Sequence, residues 1–106
     1  MKVRSEAQLD QIIGEAQVPV LVKFQAAWCR PCASLAPRYT ALAADLGDKA
    51  VCVEVDVDEN HEAAVKHGIH SVPTILMFVK GAHTATSLGS KTTEQLKEWV
   101  SSHLPE

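Results

Sequence analysis

Trp28-Cys29-Arg30-Pro31-Cys32 places two thiols with two residues between them, a spacing at which they can form a disulfide with each other and reopen it. The preceding segment 20–24 is mostly apolar and β-branched, which is typical of a buried strand. After Cys32, apolar side chains recur at intervals of three and four, which predicts a helix. The two cysteines are therefore expected where a strand passes into a helix.

That position has a chemical consequence for the thiols. The first turn of a helix has unpaired N–H groups and the positive end of the helix dipole, and both favour a thiolate over a thiol. The thiolate is the species that attacks a disulfide, so the pair predicts dithiol–disulfide exchange. Half of a zinc site is the alternative, but tetrahedral zinc needs about four ligands and no second pair follows. Cys52 stands alone and is interpreted as an unreactive core residue.

The length, composition and charge of the chain limit the classes of protein to which it can belong. A chain of 106 residues predicts a single domain, 1–106, that buries roughly two-thirds of its unfolded surface. The sequence is 46% hydrophobic, so its core does not depend on disulfides or metal. The net charge of −3 and the lack of a basic stripe argue against a nucleic-acid partner.

The cysteine count and the apolar runs bear on the compartment. No apolar run reaches the ~20 residues that span a bilayer, so no membrane partner is expected. The N-terminal residues Met1-Lys2-Val3-Arg4 lead into a polar segment without the apolar core of a secretion signal. Three cysteines in such a chain indicate redox or metal chemistry rather than a structural framework. The predicted location is the cytoplasm.

Helical and strand patterns alternate along the chain. Ser5 and Thr92 have the spacing of capping boxes and predict helix starts, and Pro37 is expected to kink the second helix. Further segments predict a strand over 51–57, a short helix over 58–67, and strands over 75–79 and 85–88 joined by a hairpin at Lys80-Gly81. This order predicts an α/β fold with a central mixed β-sheet flanked by helices on both faces.

The chain resembles the thioredoxin family over nearly its whole length. Several segments match in order and spacing: 20–24, 27–32, 55–58, 72–74 and the turns at Gly81 and Gly89. The resemblance implies the thioredoxin fold, a solvent-exposed nucleophile at Cys29 and a buried resolving thiol at Cys32. It also implies a cis peptide bond before Pro73, which would let Val72 present its N–H and C=O to an extended substrate.

The resemblance further implies a protein-disulfide oxidoreductase without a cofactor or metal. Its expected partners are disulfide-containing proteins and an electron donor of the thioredoxin-reductase type, and the protein is expected to be a monomer. The residues expected to contact substrate are Trp28, Arg30, Pro31, Val72, Pro73 and Gly89, with Ser71 and Ser90 as polar flanks. The alternative is a non-catalytic binding subunit or folding partner that uses the same groove; the intact dithiol argues against it.

Four residues depart from the family pattern, and three of these departures change the charge of the site. Arg30 stands where Gly is usual and is expected to favour the Cys29 thiolate and acidic substrates. Lys23 stands where the family has a buried Asp, Glu54 where it has a Lys, and Gln25 where it has an aromatic residue. Lys23 and Glu54 are therefore expected to form a buried ion pair of reversed polarity beneath the dithiol. Two roles stay open for this pair: a relay of the Cys32 proton through Glu54, or mutual neutralisation alone.

The remaining candidates have simpler interpretations. The histidines show no ligand pattern and are interpreted as surface residues, with His70 the one that could reach the active-site face. They are His61, His67, His70, His83 and His103. Trp99, on the last predicted helix, is interpreted as a core residue.

Overall fold

The computed structural model describes residues 1–105. Helices and strands alternate in the first half, and a hairpin and a final helix follow, as the sequence predicts. The elements are α1 (Glu6–Glu15), β1 (Val20–Gln25), α2 (Arg30–Leu46), a short 3₁₀ helix (Gly47–Lys49), β2 (Val51–Asp56), α3 (His61–Lys66), β3 (Thr74–Val79), β4 (Ala82–Leu88) and α4 (Thr93–His103). None of the helices in residues 1–105 combines the length and the apolar character that spanning a bilayer requires.

The four strands form one mixed sheet in the order β2-β1-β3-β4. β1 and β2 are parallel, whereas β3 runs antiparallel to both β1 and β4. Because β1 and β2 are parallel and in register, Lys23 lies opposite Glu54 and Gln25 lies opposite Asp56. The predicted pairing of Lys23 with Glu54 on neighbouring strands is confirmed.

Both faces of the sheet are covered, which confirms the predicted fold class. Alternation along β1 directs Val22 and Phe24 into a core shared with α1 and α3, and Leu21 into a core with α2 and α4. Tyr39 and Leu96 are buried in the second core. The sheet therefore separates two apolar layers, and the side chains of Lys23, Glu54 and Asp56 lie on the α2 face.

Helix ends agree with the predicted caps in part. At α4 the full capping box is present, because Thr92 Oγ1 accepts from Gln95 N–H and the Gln95 side chain accepts from Thr92 N–H. At α1, Ser5 accepts from Gln8 N–H, but the Gln8 side chain accepts from Arg4 N–H instead of from Ser5. α2 continues through Pro37.

Two elements begin three residues away from their predicted starts, and the other strand and helix limits that were predicted agree to within one residue. α3 begins at His61 rather than at residue 58, because Asp56 Oδ1 accepts from the N–H groups of Asp58 and Glu59 and holds that segment as a turn. β4 begins at Ala82, three residues earlier than predicted. Its first residues pair with β3 although their side chains are mostly exposed, so they lack the apolar alternation of a strand.

Candidate active site

The two cysteines lie at the junction of β1 and α2, as the sequence predicts. Cys29 is the N-cap of α2 and Cys32 lies in its first turn; their sulfurs are bonded, with the Cα atoms 5.2 Å apart. Cys29 Sγ accepts a hydrogen bond from Cys32 N–H at 3.2 Å. Pro31 lies in the first turn of α2. Backbone N–H groups have no partner within the helix there, so the missing N–H of proline costs no hydrogen bond. The sulfur of Cys29 therefore lies at the positive end of a helix.

The expectation of a solvent-exposed Cys29 is wrong for this disulfide form. Cys29 is 6% exposed and Cys32 is 4% exposed, so both are buried to nearly the same degree. The cause is packing: the two cysteines cluster with Ala26 and against Val57 and Val72. The expectation of a buried Cys32 is confirmed.

The loop that precedes β3 lies next to Cys29 and contributes Val72 to the apolar cluster around the two cysteines. The peptide bond between Val72 and Pro73 is cis, as the resemblance implied. The carbonyl oxygen of Val72 lies 3.7 Å from Cys29 Sγ. Gly89 N–H donates to the Pro73 carbonyl at 2.9 Å, which brings the turn after β4 beside the same loop. The structure thus places Val72, Pro73 and Gly89 together next to the cysteines.

Trp28 lies at the rim of the site. Its side chain is 71% exposed, and its Nε1–H donates to Asp58 Oδ2 at 2.8 Å. A cavity of about 210 Å³ adjoins it, and Val72 forms part of the wall. The full lining is Trp28, Val57, Asp58, His61, Ala64, Val65, Ile69, His70, Ser71 and Val72. Arg30 and Pro31 are exposed at the start of α2.

The sequence analysis missed Asp58 and His61 as site residues, whereas the possibility that His70 reaches this face is confirmed. A signal for Asp58 was present. It lies two residues after the end of β2, and the carboxyl ends of the parallel strands β1 and β2 meet at the edge of the sheet where the Cys29 loop begins.

Lys23 and Glu54 form an ion pair, but they differ in burial. Lys23 Nζ and Glu54 Oε1 are 3.1 Å apart, and the Lys23 side chain is fully buried, whereas that of Glu54 is 31% exposed. The contact does not have hydrogen-bond geometry, and Nζ has no hydrogen-bond partner within residues 1–105. Nζ also lies 4.9 Å from the centroid of the Tyr39 ring, a cation–π contact. The expectation of a fully buried pair therefore holds for Lys23 and is wrong for Glu54.

Tyr39 is a buried partner of this pair that the sequence analysis missed. Its hydroxyl lies 3.0 Å from the Leu21 carbonyl oxygen and 2.9 Å from that of Val53, so it joins α2 to both β1 and β2. Burial raises the pKa of Tyr39 well above its usual value, and the negative charges possible at Cys52 and Glu54 raise it further. Tyr39 therefore stays a neutral hydrogen-bond donor.

Cys52 is a free thiol on β2 and is partly buried. It packs against the core cluster beneath α2, and burial raises the pKa of its thiol. A raised pKa lowers the thiolate fraction, which agrees with the interpretation of Cys52 as unreactive.

His67 is not the surface residue that the sequence suggested. Its ring contacts those of Phe24 and Phe78, with centroids 6.1 Å and 5.4 Å away. Its Nε2 is buried without a hydrogen-bond partner in the described part of the chain. Burial lowers the pKa of His67, and the charge of Lys66 lowers it further; Asp10 opposes this shift, and the effects of His83, which lowers the pKa, and Glu6, which raises it, are smaller.

The lowered pKa of His67 predicts a loss of stability in mild acid. As the pH falls below about 6.5, the unfolded chain takes up the proton before the folded chain does, which favours unfolding. We expect the free energy of unfolding, from urea titrations at pH 7.5 and 5.5, to fall more in the wild type than in His67→Gln. His70→Gln removes an exposed histidine and is the control; an equal fall in all three proteins would show that His67 does not contribute.

Comparison with known proteins agrees with the fold and the site. The thioredoxin family model matches residues 1–102. The chain is 46% identical to the thioredoxin of Bacillus subtilis over 85 residues, which cover 80% of this chain and 82% of that protein. It is 37% identical to the thioredoxin of Rhodospirillum rubrum, with coverage of 94% and 96%. The structure of Plasmodium falciparum thioredoxin superposes with a TM-score of 0.88 at 35% identity, covering 95% of this chain and 96% of that one.

The chain belongs to the thioredoxin family. The bonded cysteine pair occupies the start of α2, where the sequence motif predicts the redox centre. The protein is therefore a thiol–disulfide oxidoreductase, and the family implies disulfide substrates and a reductase as electron donor.

Proposed function

We propose that the protein reduces disulfides in other proteins through a two-step exchange at Cys29 and Cys32. The Cys29 thiolate attacks a substrate disulfide, one substrate sulfur leaves as a thiolate, and the other forms a mixed disulfide with Cys29. The Cys32 thiolate then attacks Cys29 Sγ, which releases the second substrate thiolate and leaves Cys29 bonded to Cys32. The hydrogen bond from Cys32 N–H to Cys29 Sγ is the observation that carries this assignment, because an N–H donor stabilises a thiolate.

Substrate binding is proposed for the surface around Cys29. An extended segment of the substrate would pair with the backbone of Val72, as an added strand pairs with a sheet edge. The side chains proposed to contact it are Trp28, Arg30, Pro31, Val72, Pro73 and Gly89. The exposure of Trp28 and the closeness of the Val72 carbonyl to Cys29 Sγ support this assignment.

The proposed setting is the cytoplasm, where the protein acts as a monomer in electron transport. A reducing compartment keeps such a pair in the dithiol form, and a thioredoxin-reductase-type donor would regenerate it. Neither a membrane nor a nucleic acid is a proposed partner.

The proposed activity is tested by turnover of insulin disulfides with dithiothreitol as reductant, measured as the turbidity of the released B chain. We expect the protein to shorten the lag and raise the rate in proportion to its concentration. A rate equal to that of dithiothreitol alone would favour the alternative of a binding subunit or folding partner that uses the same groove without turnover.

Arg30 is expected to tune the reactivity of Cys29. Its guanidinium is exposed next to Cys29, so its field favours the thiolate but is weakened by solvent. In Arg30→Gly, the absorbance of the reduced protein at 240 nm should show the thiolate appearing at higher pH, and the reduction potential should become more reducing. The control is Arg4→Gly, which removes an exposed arginine outside the site; equal midpoints in Arg30→Gly and the wild type would contradict the role of Arg30.

A further inference from the structure

A second cavity adjoins the cysteines and shares no lining residue with the one beside Trp28. Its volume is about 270 Å³, and it lies between the start of α2 and the ends of β1 and β2. It is lined by Gln25, Ala26, Ala27, Cys29, Cys32, Ala33, Ala36 and Asp56. Both residues of the disulfide therefore border the same space as a single carboxylate, that of Asp56.

The second exchange step needs a proton acceptor near Cys32. Cys32 is 4% exposed and packs against Ala26, and a thiol in apolar surroundings holds its proton more strongly than a thiol in water. Only the thiolate attacks the mixed disulfide. A carboxylate that reaches the Cys32 sulfur directly or through one water molecule would remove this barrier.

We propose that Asp56 accepts the Cys32 proton through this cavity. Asp56 is 8% exposed and is held in place, because its Oδ1 accepts from Asp58 N–H at 2.9 Å and from Glu59 N–H at 3.2 Å. Its Oδ2 makes no hydrogen bond within residues 1–105, so one oxygen of an oriented carboxylate is free for a proton. The cavity also exceeds the roughly 10–15 Å³ of free space that one water molecule needs.

Glu54 is less well placed for the same task. It lies two residues earlier on the same face of β2, farther from the strand end where the Cys29 loop begins. Its carboxylate is paired with Lys23, and of the described residues the cavity wall includes Asp56 but neither Lys23 nor Glu54. The relay through Glu54 stays a prediction that the same experiment tests.

The step balances as a proton transfer coupled to exchange. The proton of the Cys32 thiol passes to Asp56 as the Cys32 sulfur forms a bond with Cys29 Sγ. The bond between Cys29 and the substrate sulfur breaks, and the departing thiolate receives a proton from Asp56 or from solvent. Cys29 and Cys32 are oxidised to the disulfide, and the substrate disulfide is reduced.

The test separates the two exchange steps, since the proposal rests on the proposed two-step exchange. Reduced protein is mixed with an equimolar amount of 5,5′-dithiobis(2-nitrobenzoate), which releases one coloured thiolate when Cys29 attacks and a second when Cys32 resolves the mixed disulfide. Asp56→Asn keeps an oxygen for the turn at Asp58 and Glu59 but removes the base. Glu54→Gln tests the alternative relay on the same strand face, and Asp45→Asn, which removes an exposed carboxylate outside the site, is the control.

We expect Asp56→Asn to slow the second phase by at least ~10-fold, to leave the first phase within about twofold, and to flatten the pH dependence of the second phase. Added formate should restore part of the lost rate, and Asp56→Glu should retain more activity than Asp56→Asn even if the latter folds poorly. An unchanged second phase, an equal slowing of both phases, or a slowing in Glu54→Gln alone would overturn the proposal. Absence of both phases in the wild type would instead contradict the two-step exchange.

Discussion

In Cys29→Ser, the rate of insulin reduction is expected to fall to that of dithiothreitol alone, which is the largest loss of activity that we predict. A serine hydroxyl cannot form a disulfide, so residue 29 can form neither the mixed disulfide with substrate nor the internal disulfide with Cys32. The turbidity of insulin in the presence of dithiothreitol measures the loss. Among the described residues, Cys32 would be the one thiol left at this site, and it would have no partner with which to close the internal disulfide.

Cys52→Ser is the matched control, because it also removes one thiol from the chain. Cys52 lies on β2 under α2, and burial raises its pKa, so we expect this variant to keep wild-type turnover. If Cys29→Ser retained turnover while Cys52→Ser lost it, Cys52 would be the nucleophile and the assignment would be reversed.

The ion pair beneath α2 should give the largest change in stability. Glu54→Leu leaves the fully buried Lys23 ammonium without its counter-charge, and we expect a cost of about 3–5 kcal/mol in the free energy of unfolding. Lys23→Met should cost less, because the Glu54 carboxylate is 31% exposed and water can hydrate it. The double variant should be close to the wild type, since apolar side chains of similar size often replace a buried pair without loss.

A double-mutant cycle from urea unfolding measures the coupling between Lys23 and Glu54. The matched control is Lys97 with Asp45, an exposed pair 2.9 Å apart, for which we expect a coupling below about 1 kcal/mol. Additive losses for Lys23→Met and Glu54→Leu would mean that the two side chains do not interact. Catalysis is a separate question. If the double variant resolves mixed disulfides at the wild-type rate, the pair is structural and Glu54 is not the relay.

The helices and strands could be predicted from the sequence because alternation, helical periodicity and capping residues are patterns of neighbouring residues. Alternation places Lys23 and Glu54 on defined faces of their strands, and the family resemblance supplied the parallel pairing that brings them together. The burial of Cys29, the exposure of Glu54 and the position of His67 between aromatic rings depend on how separate elements pack. The spacing of residues in the sequence does not specify contacts between separate elements. The predictions of burial and exposure that were wrong concern those contacts.

The same reason explains the site residues that the sequence analysis missed. Asp56 serves as a strand residue, as the acceptor of the turn at Asp58 and Glu59, and as part of the cavity wall beside Cys32. Its alternation with valines indicates only that it lies on the opposite face of β2 from them. Asp56 lies near the cysteines because the end of β2 packs beside the start of α2. That packing is a property of the tertiary structure.

The most direct test of the account is the covalent intermediate that Cys32→Ser should accumulate. Without the resolving thiol, the mixed disulfide formed by Cys29 cannot be released by internal attack and should persist. The reduced variant would be mixed with insulin, quenched with an alkylating agent, digested without reduction and mapped by mass spectrometry. We predict that the trapped substrate is joined to Cys29 and that Cys52 is recovered alkylated; failure to trap any substrate, or a link through Cys52, would contradict the account.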